Sequence, residues 1–477
     1  MSSQFVILNQ PAAHPVSGDD PARLDVCAAA SAFAEYYRCP AALARLDTAG
    51  DLSQRQGYFT FGGTVCYGRR AGGDPSLELT DVLEDVSTHI ARGAEGVALP
   101  FDLSEIVGNL RHERYRVNGY PLLERVTSNE VVRQLYYLVR PALQVGARKH
   151  LQKIRLRGWE RIPFPRWPVD TTVESLMERA MAALLSSGHG RRIPFIWFWP
   201  DGARACAMMT HDVEGEKGYN FVSAVMDLDD SFGIKSAFQL IPQGRERAWR
   251  QLASALRARG FEVNLHDLNH DGHLFHSRST FLERAQQINR YAREFECHGF
   301  RSGAMYREQQ WYGAFEFSYD MSVPNVAHLE PQRGGCCTVM PYFIGDIVEL
   351  PLTTLQDYSL FHILDDYSVS IWQQQTAAIL ERNGLMTFLT HPDYLTDSAA
   401  RTVYTALLAH LRQMRDHANV WVALPGDVDR WWRNRRDMTL VRQGDSWRIE
   451  GPDAHLARLA YASLDDGRVR YTLSDDE

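Results

Sequence analysis

At 477 residues the chain is too long for one ordinary domain of roughly 100–200 residues, so two or three units are expected. Hydrophobic residues make up 45% and charged residues 23%, near the globular average, which excludes a disordered, collagen-like or coiled-coil chain. Acidic residues (59) outnumber basic ones (51), and the net charge of −8 excludes a nucleic-acid footprint spread over the whole surface. The seven cysteines, Cys27, Cys39, Cys66, Cys206, Cys297, Cys336 and Cys337, are odd in number, include no C-x-x-C spacing and read as reduced thiols. The first residues lack a basic segment followed by an apolar run, and no stretch of about 18 apolar residues occurs. A cytoplasmic chain without signal peptide or transmembrane segment is therefore expected.

Shifts in periodicity divide the chain into residues 1–198, 199–435 and 436–477. The first unit reads as a helix-rich mixed α+β region. Tyr58–Phe61 and Thr64–Tyr67 flank Gly62-Gly63, a pair suited to the positive φ angles of a tight hairpin turn. Asp102-Leu103-Ser104-Glu105 and Thr171-Thr172-Val173-Glu174 have the spacing of capping boxes and predict helices over Ile106–Tyr115 and Leu176–Leu185. Between them, the basic stretch 148–166 interleaves Arg and Lys with Leu and Trp. It reads as a solvated helix face, or as a peripheral contact with a membrane or with glycan-assembly machinery.

The second unit alternates strand and helix. Apolar runs at Ala205–Thr210, Ser236–Ile241, Phe261–Leu265, Ile347–Leu352, Met386–Thr390 and Val420–Leu424 are each followed by a loop and usually a helical segment, the pattern of parallel strands joined by crossovers. In such folds the polar residues at the C-terminal strand ends gather around one mouth. The third unit reads as a small antiparallel region, Thr439–Val441, Trp447–Ile449, Leu459–Tyr461 and Val469–Leu473, with turns at Gly444-Asp445 and Asp466-Gly467.

The strand ends of the second unit carry an ordered set of polar residues. Asp212 and Glu214 follow the first run two residues apart. His266 and His270 follow the third, four apart, a spacing from which both rings can converge on one ion. One carboxylate with two neutral imidazoles is a common ligand set for a catalytic divalent metal; it suits Zn²⁺ first, and also Co²⁺, Ni²⁺, Mn²⁺ or Fe²⁺. Arg301, Asp320 and His391 follow later strands. Singly, each has an ordinary structural reading as a hydrogen-bonded residue or helix cap; their succession at the strand ends of one unit points to a site. Asp267, Asp271 and His273 share the histidine loop and read as turn chemistry.

This succession resembles the polysaccharide deacetylases of carbohydrate esterase family 4, the NodB-like group, over about Ala205 to Arg430. The resemblance implies an α/β fold, an irregular (β/α) barrel of the deacetylase type, and a metal-dependent hydrolase removing N-acetyl groups from amino sugars of a polysaccharide or glycan precursor. It implies Asp212 as general base, Glu214, His266 and His270 as metal ligands, Arg301 as the cation orienting Asp212, His391 as general acid, and Asp320 as the carboxylate supporting His391. Departures are a first motif reading Asp212-Val213-Glu214, Gly303 where the family has proline, and no Trp beside Asp320, a place Trp311 or Trp372 could fill. The rival expectations are a catalytically silent glycan-binding or scaffold protein of surface-polysaccharide assembly, and a metal hydrolase of another amide or ester.

Overall fold

A computed structural model describes residues 31–93, 96–117, 156–187, 192–244 and 246–474. Cys27, positions 148–155 of the basic stretch and the last three residues lie outside the described residues. The described end of the basic stretch holds a short 3₁₀ turn, Trp159–Arg161, and Trp159 packs edge-on against Trp167.

Nine strands of the described residues build one curled, mostly parallel sheet: β1 (Ala205–Val213), β2 (Ala237–Leu240), β3 (Glu262–His266), β4 (Gly299–Arg301), β5 (Tyr319–Asp320), β6 (Tyr342–Ile344), β7 (Ile347–Glu349), β8 (Leu385–Thr390) and β9 (Val420–Val422). Their order is β6-β7-β5-β4-β3-β2-β1-β8, and β9 borders the start of β1 on the edge that β2 takes further along. Only β6 against β7 is antiparallel. Helices α1 (Glu216–Ser231), α2 (Glu246–Ala258), α3 (Arg278–Phe295), α4 (Ser370–Leu380) and α5 (Ser398–His417) make the crossovers, and α6 (Pro425–Asp437) follows β9. All six expected apolar runs contain strands; the Ile347 run stops at Glu349, and Leu352 makes only a single bridge, to Pro324. Between β7 and β8 side chains replace the ladder. Thr353 Oγ1 donates to Leu385 O at 2.7 Å and accepts from Thr387 N at 2.9 Å, and Thr354 Oγ1 donates to Thr387 O at 2.8 Å.

The two-residue repeat of a strand decides what each face receives. Along β1, which is buried throughout, Ala205, Ala207, Met209 and Val213 pack in the cluster that holds Val222 and Val225 of α1, Trp249 of α2 and Ile288 of α3. Cys206 and Met208 turn to the inner face, with Val173, Leu176 and Phe198 of the N-terminal region, Trp199 just ahead of β1, and Trp431 and Trp432 of α6. Thr210 and Asp212 continue that inner row toward the C-terminal mouth, so apolar residues from outside the barrel close its lower half and leave its upper half polar.

The helix expected from Asp102 runs Leu103–Arg111, and Asp102 caps it by accepting from Ser104 N and Glu105 N. It ends four residues before Tyr115, because Glu113 has φ 55° and its carboxylate is taken by Arg307 and by Gly335 N. The helix expected after Thr171 runs Thr172–Leu185, but Asp170 supplies the cap, accepting from Thr172 N. Glu174 does not reach back to the helix start; it is buried and accepts hydrogen bonds from Thr338 Oγ1 and Val339 N of the barrel. The C-terminal hairpins form at the expected turns, and the second, Leu459–Asp465 with Arg468–Leu473, pairs antiparallel with Ile193–Ile196 of the N-terminal region. Arg435 fixes this junction by donating to Ile196 O, Trp197 O and Tyr36 O at 2.8–2.9 Å. No helix among the described residues is long and apolar enough to cross a membrane.

Glu174 makes the docking of helix 172–185 pH-sensitive. Burial, only partly offset by Thr338, pushes its carboxyl up to about 7 from 4.5. The folded state then binds a proton that the unfolded state has released between these values, so stability falls as pH rises from about 4.5 to 7. Glu174→Gln removes the titrating group. The difference in unfolding free energy between E174Q and wild type should move in favour of E174Q by on the order of 3 kcal/mol from pH 4.5 to pH 8, read from urea midpoints.

Candidate active site

Asp212 ends the inner row of β1, and Glu214 stands two residues further on, beyond the strand end. His266 closes β3, and the chain then turns tightly through Asp267 (φ 55°) and His270 (φ 59°), bringing the second imidazole back beside the first with ring centroids 4.9 Å apart. Glu214 Oε1 lies 3.0 Å from His270 Nε2 and 3.6 Å from His266 Nε2. One donor atom from each of Glu214, His266 and His270 falls within 4.8 Å of the others, so these three could hold a cation. His266 Nδ1 is 3.1 Å from the carbonyl oxygen of Arg301. A carbonyl only accepts, so Nδ1 carries the proton and the buried Nε2, which has no hydrogen-bond partner, presents its lone pair to the site.

Arg301, paired in register with His266, is fully buried. Its Nη1 donates to Asp212 Oδ1 at 3.0 Å and to Thr210 Oγ1 at 2.8 Å, and its Nε donates to Met321 O at 3.0 Å. Burial alone would raise the Asp212 carboxyl; neighbouring His266, the buried Arg301 guanidinium and His391 outweigh it and hold the group below its ordinary value. Burial likewise works against Glu214 ionisation, yet His270 at 3.0 Å, joined by His266 and His391 at 3.6 Å, holds it well below the usual carboxylate range.

His391 follows β8 with Nε2 3.6 Å from Glu214 Oε1. Its supporting carboxylate is Asp357, which accepts from both His391 Nδ1 and His391 N at 2.6 Å. Burial lowers the imidazole, but the charge and hydrogen bond of Asp357, joined by Glu214, raise it well above its ordinary value. The structure corrects the expectation for Asp320. In register Asp320 sits opposite Phe300, one residue out of phase with Arg301, and so faces the helix layer. There it accepts from Ser322 N and Ser322 Oγ and is paired with the buried Glu349. Asp357 carries no strand-end signal in the sequence; it lies in the irregular segment after β7, where Thr353 and Thr354 tie the chain to β8.

The other candidate residues take structural places. Asp271 makes a two-pronged ion pair with Arg284, and Asp267 Oδ1 accepts from Leu268 N. Gly303 packs directly on the histidine turn: a Cβ there would stand 2.6 Å from Asp267 Oδ2 and 2.9 Å from His270 Cδ2. Trp372 is core, its Nε1 donating to Leu355 O, and Trp311 packs with Phe275 and Phe281.

No family model matches the chain, and no curated protein does. Solved structures do. One, assigned as a polysaccharide deacetylase from Mycobacterium smegmatis, shares 18% identity with a TM-score of 0.42 over 50% of this chain and 93% of its own. The PuuE allantoinase shares 14% with a TM-score of 0.39 over 49% and 92%. A pseudoenzyme of carbohydrate esterase family 4 from Bacillus anthracis shares 14% with a TM-score of 0.29 over 47% and 65%.

The two carboxylates are separable by titration. In chelator-treated protein, Asp357→Asn should lower the His391 midpoint, while Asp320→Asn leaves it in place, followed by NMR of selectively labelled histidines.

Proposed function

We propose that the chain is a metal-dependent hydrolase that removes N-acetyl groups from amino sugars of a polysaccharide or a glycan precursor. The observation that supports this reading best is the meeting, at one strand-end mouth, of a Glu-His-His donor set with two acid–base residues of opposite character: Asp212 held as carboxylate, His391 held protonated. The residues fit a divalent ion, since a buried lone pair on His266 Nε2 without a partner is costly unless something there accepts it. Glu214, His266 and His270 would hold the ion, Zn²⁺ first among those the donor set suits. Bound there, it would supply Lewis acidity toward an amide carbonyl and make a water more acidic.

The chain's own residues supply the proton transfers. Asp212, kept ionised by Arg301, takes the proton of the attacking water. His391, kept protonated and oriented by Asp357, delivers a proton from Nε2 to the departing amine nitrogen, leaving acetate and a free amino sugar. Each acid–base residue has its own buried partner, so the two remain in opposite protonation states at one pH.

The test is metal analysis coupled to acetate release from N-acetylated oligosaccharides. About one divalent ion per chain, acetate release that chelation abolishes, and a fall in kcat of about 10²–10⁴-fold in Asp212→Asn support the reading. Absence of bound metal after reconstitution, or unchanged acetate release in D212N, overturns it; saturable sugar binding without turnover under any metal replaces it with the silent glycan-binding alternative. Gly303→Ala should weaken metal affinity by about 10–100-fold, read by competition with a chromogenic chelator, because the added Cβ displaces His270.

A further inference from the structure

The loop that follows β4 runs beside the histidine turn in a conformation its own residues resist. Ala304 and Met305 stand consecutively at φ 55° and 54°, left-handed backbone that crowds any side chain bearing a Cβ. Two such residues in a row persist only where neighbouring structure holds them. Before them, Gly303 lies so close to the histidine turn that a Cβ would stand 2.6 Å from Asp267 Oδ2 and 2.9 Å from His270 Cδ2. After them, Arg307 turns back and donates from Nη1 to Met305 O at 2.9 Å. Gln332 ties the backbone of Arg307 on both sides, accepting from its N at 3.0 Å and donating to its O at 2.9 Å.

What anchors Arg307 comes from outside the barrel. Its guanidinium is fully buried, and its counter-charge is Glu113, which accepts from Nε at 2.7 Å and from Nη2 and is itself held by Gly335 N at 2.7 Å. Glu113 stands just past the helix Leu103–Arg111, and the two residues before it grip the same loop two positions further on. Gln309 Nε2 donates to Arg111 O at 3.0 Å, and Gln309 Oε1 lies 3.0 Å from His112 Nδ1. Arg111 O is among the last carbonyls of its helix, which have no partner within the helix, so the helix end gains donors from the barrel as the loop gains an anchor.

We infer that Glu113 is a positioning residue for the candidate metal site: through Arg307 it holds the left-handed turn Ala304-Met305, and that turn fixes Gly303 against the His270 ring. His270 is the ligand so controlled, because the His266 ring is oriented by Arg301 O, which lies on β4 ahead of the turn. This coupling deepens the hydrolase reading and rests on it for the role of His270. It gives the N-terminal region a share in the site through backbone geometry, at the distance of one buried ion pair and one strained turn.

The experiment uses the full-length chain carrying Glu113→Gln, Arg307→Met, or the double change Glu113→Leu with Arg307→Met. A single change strands one buried charge and endangers the fold; the double change removes both charges together and serves as the fold-preserving variant. Each protein is assayed well below its thermal midpoint, first free of metal and then with Zn²⁺ in competition with a chromogenic chelator. In chelator-treated protein the Cδ2–Hδ2 NMR signal of His270 should move in all three variants while that of His266 stays in place. The Zn²⁺ dissociation constant should rise about tenfold or more, in the double variant as in the single ones. Wild-type values of either readout in the folded double variant, the result a purely stabilising ion pair would give, overturn the coupling, and so does an equal displacement of both histidine signals. If wild type binds no divalent ion after reconstitution, the hydrolase reading fails, and the His270 signal still decides whether Glu113 positions that ring.

Discussion

Arg301 places a guanidinium where almost no water reaches, and the arrangement of the mouth follows from how that charge is satisfied. An unpaired buried charge costs several kcal/mol, so the surroundings must supply both a counter-charge and acceptors. Asp212 gives the first, Thr210 Oγ1 and Met321 O the second. These partners sit on β1 and just past β5, on either side of β4, so one side chain holds three strands of the curl in position. Through its carbonyl oxygen the same residue also fixes the ring of His266. The charge state of one site residue and the orientation of another therefore depend on the same buried cation.

The second half of the site is held by a different device. Between β7 and β8 no ladder forms; hydroxyls of Thr353 and Thr354 bond the backbone of β8, and the chain then runs into Asp357. Asp357 grips both the backbone and the ring of His391, so the imidazole turns its free nitrogen toward Glu214. The N-terminal region contributes beneath and beside this arrangement. Its helix 172–185 and the residues leading into β1 fill the lower inner face, and Glu113 neutralises the buried Arg307 in the loop that follows Gly303. What lies outside the barrel in sequence is thus part of what shapes its interior.

Much of the barrel was legible because a two-residue repeat leaves its mark on sequence. Asp212 and Glu214 are two apart and therefore lie on the same side of the extended chain, and the six apolar runs each held a strand. His266 and His270 were legible by spacing, although a tight turn through two positive-φ residues, not a helix, brings them together. Legibility ended where phase or irregular backbone decided. Asp320 ends a strand as Arg301 does, yet the register of β5 on β4 turns it to the helix layer. Glu174 has the spacing of a capping box, but a contact with Thr338, 164 positions away, claims its carboxylate.

By itself, the amino-acid order determined which local elements form, which faces are apolar and which polar side chains arrive at strand ends, since these follow from periodicities of a few residues. Only the tertiary structure decided which carboxylate serves His391, why position 303 is glycine, and which residue outside the barrel pairs with Arg307. Those are matters of distance between segments far apart in the chain. Sheet register and the packing of irregular loops set such distances, and neither leaves a repeating signal in sequence.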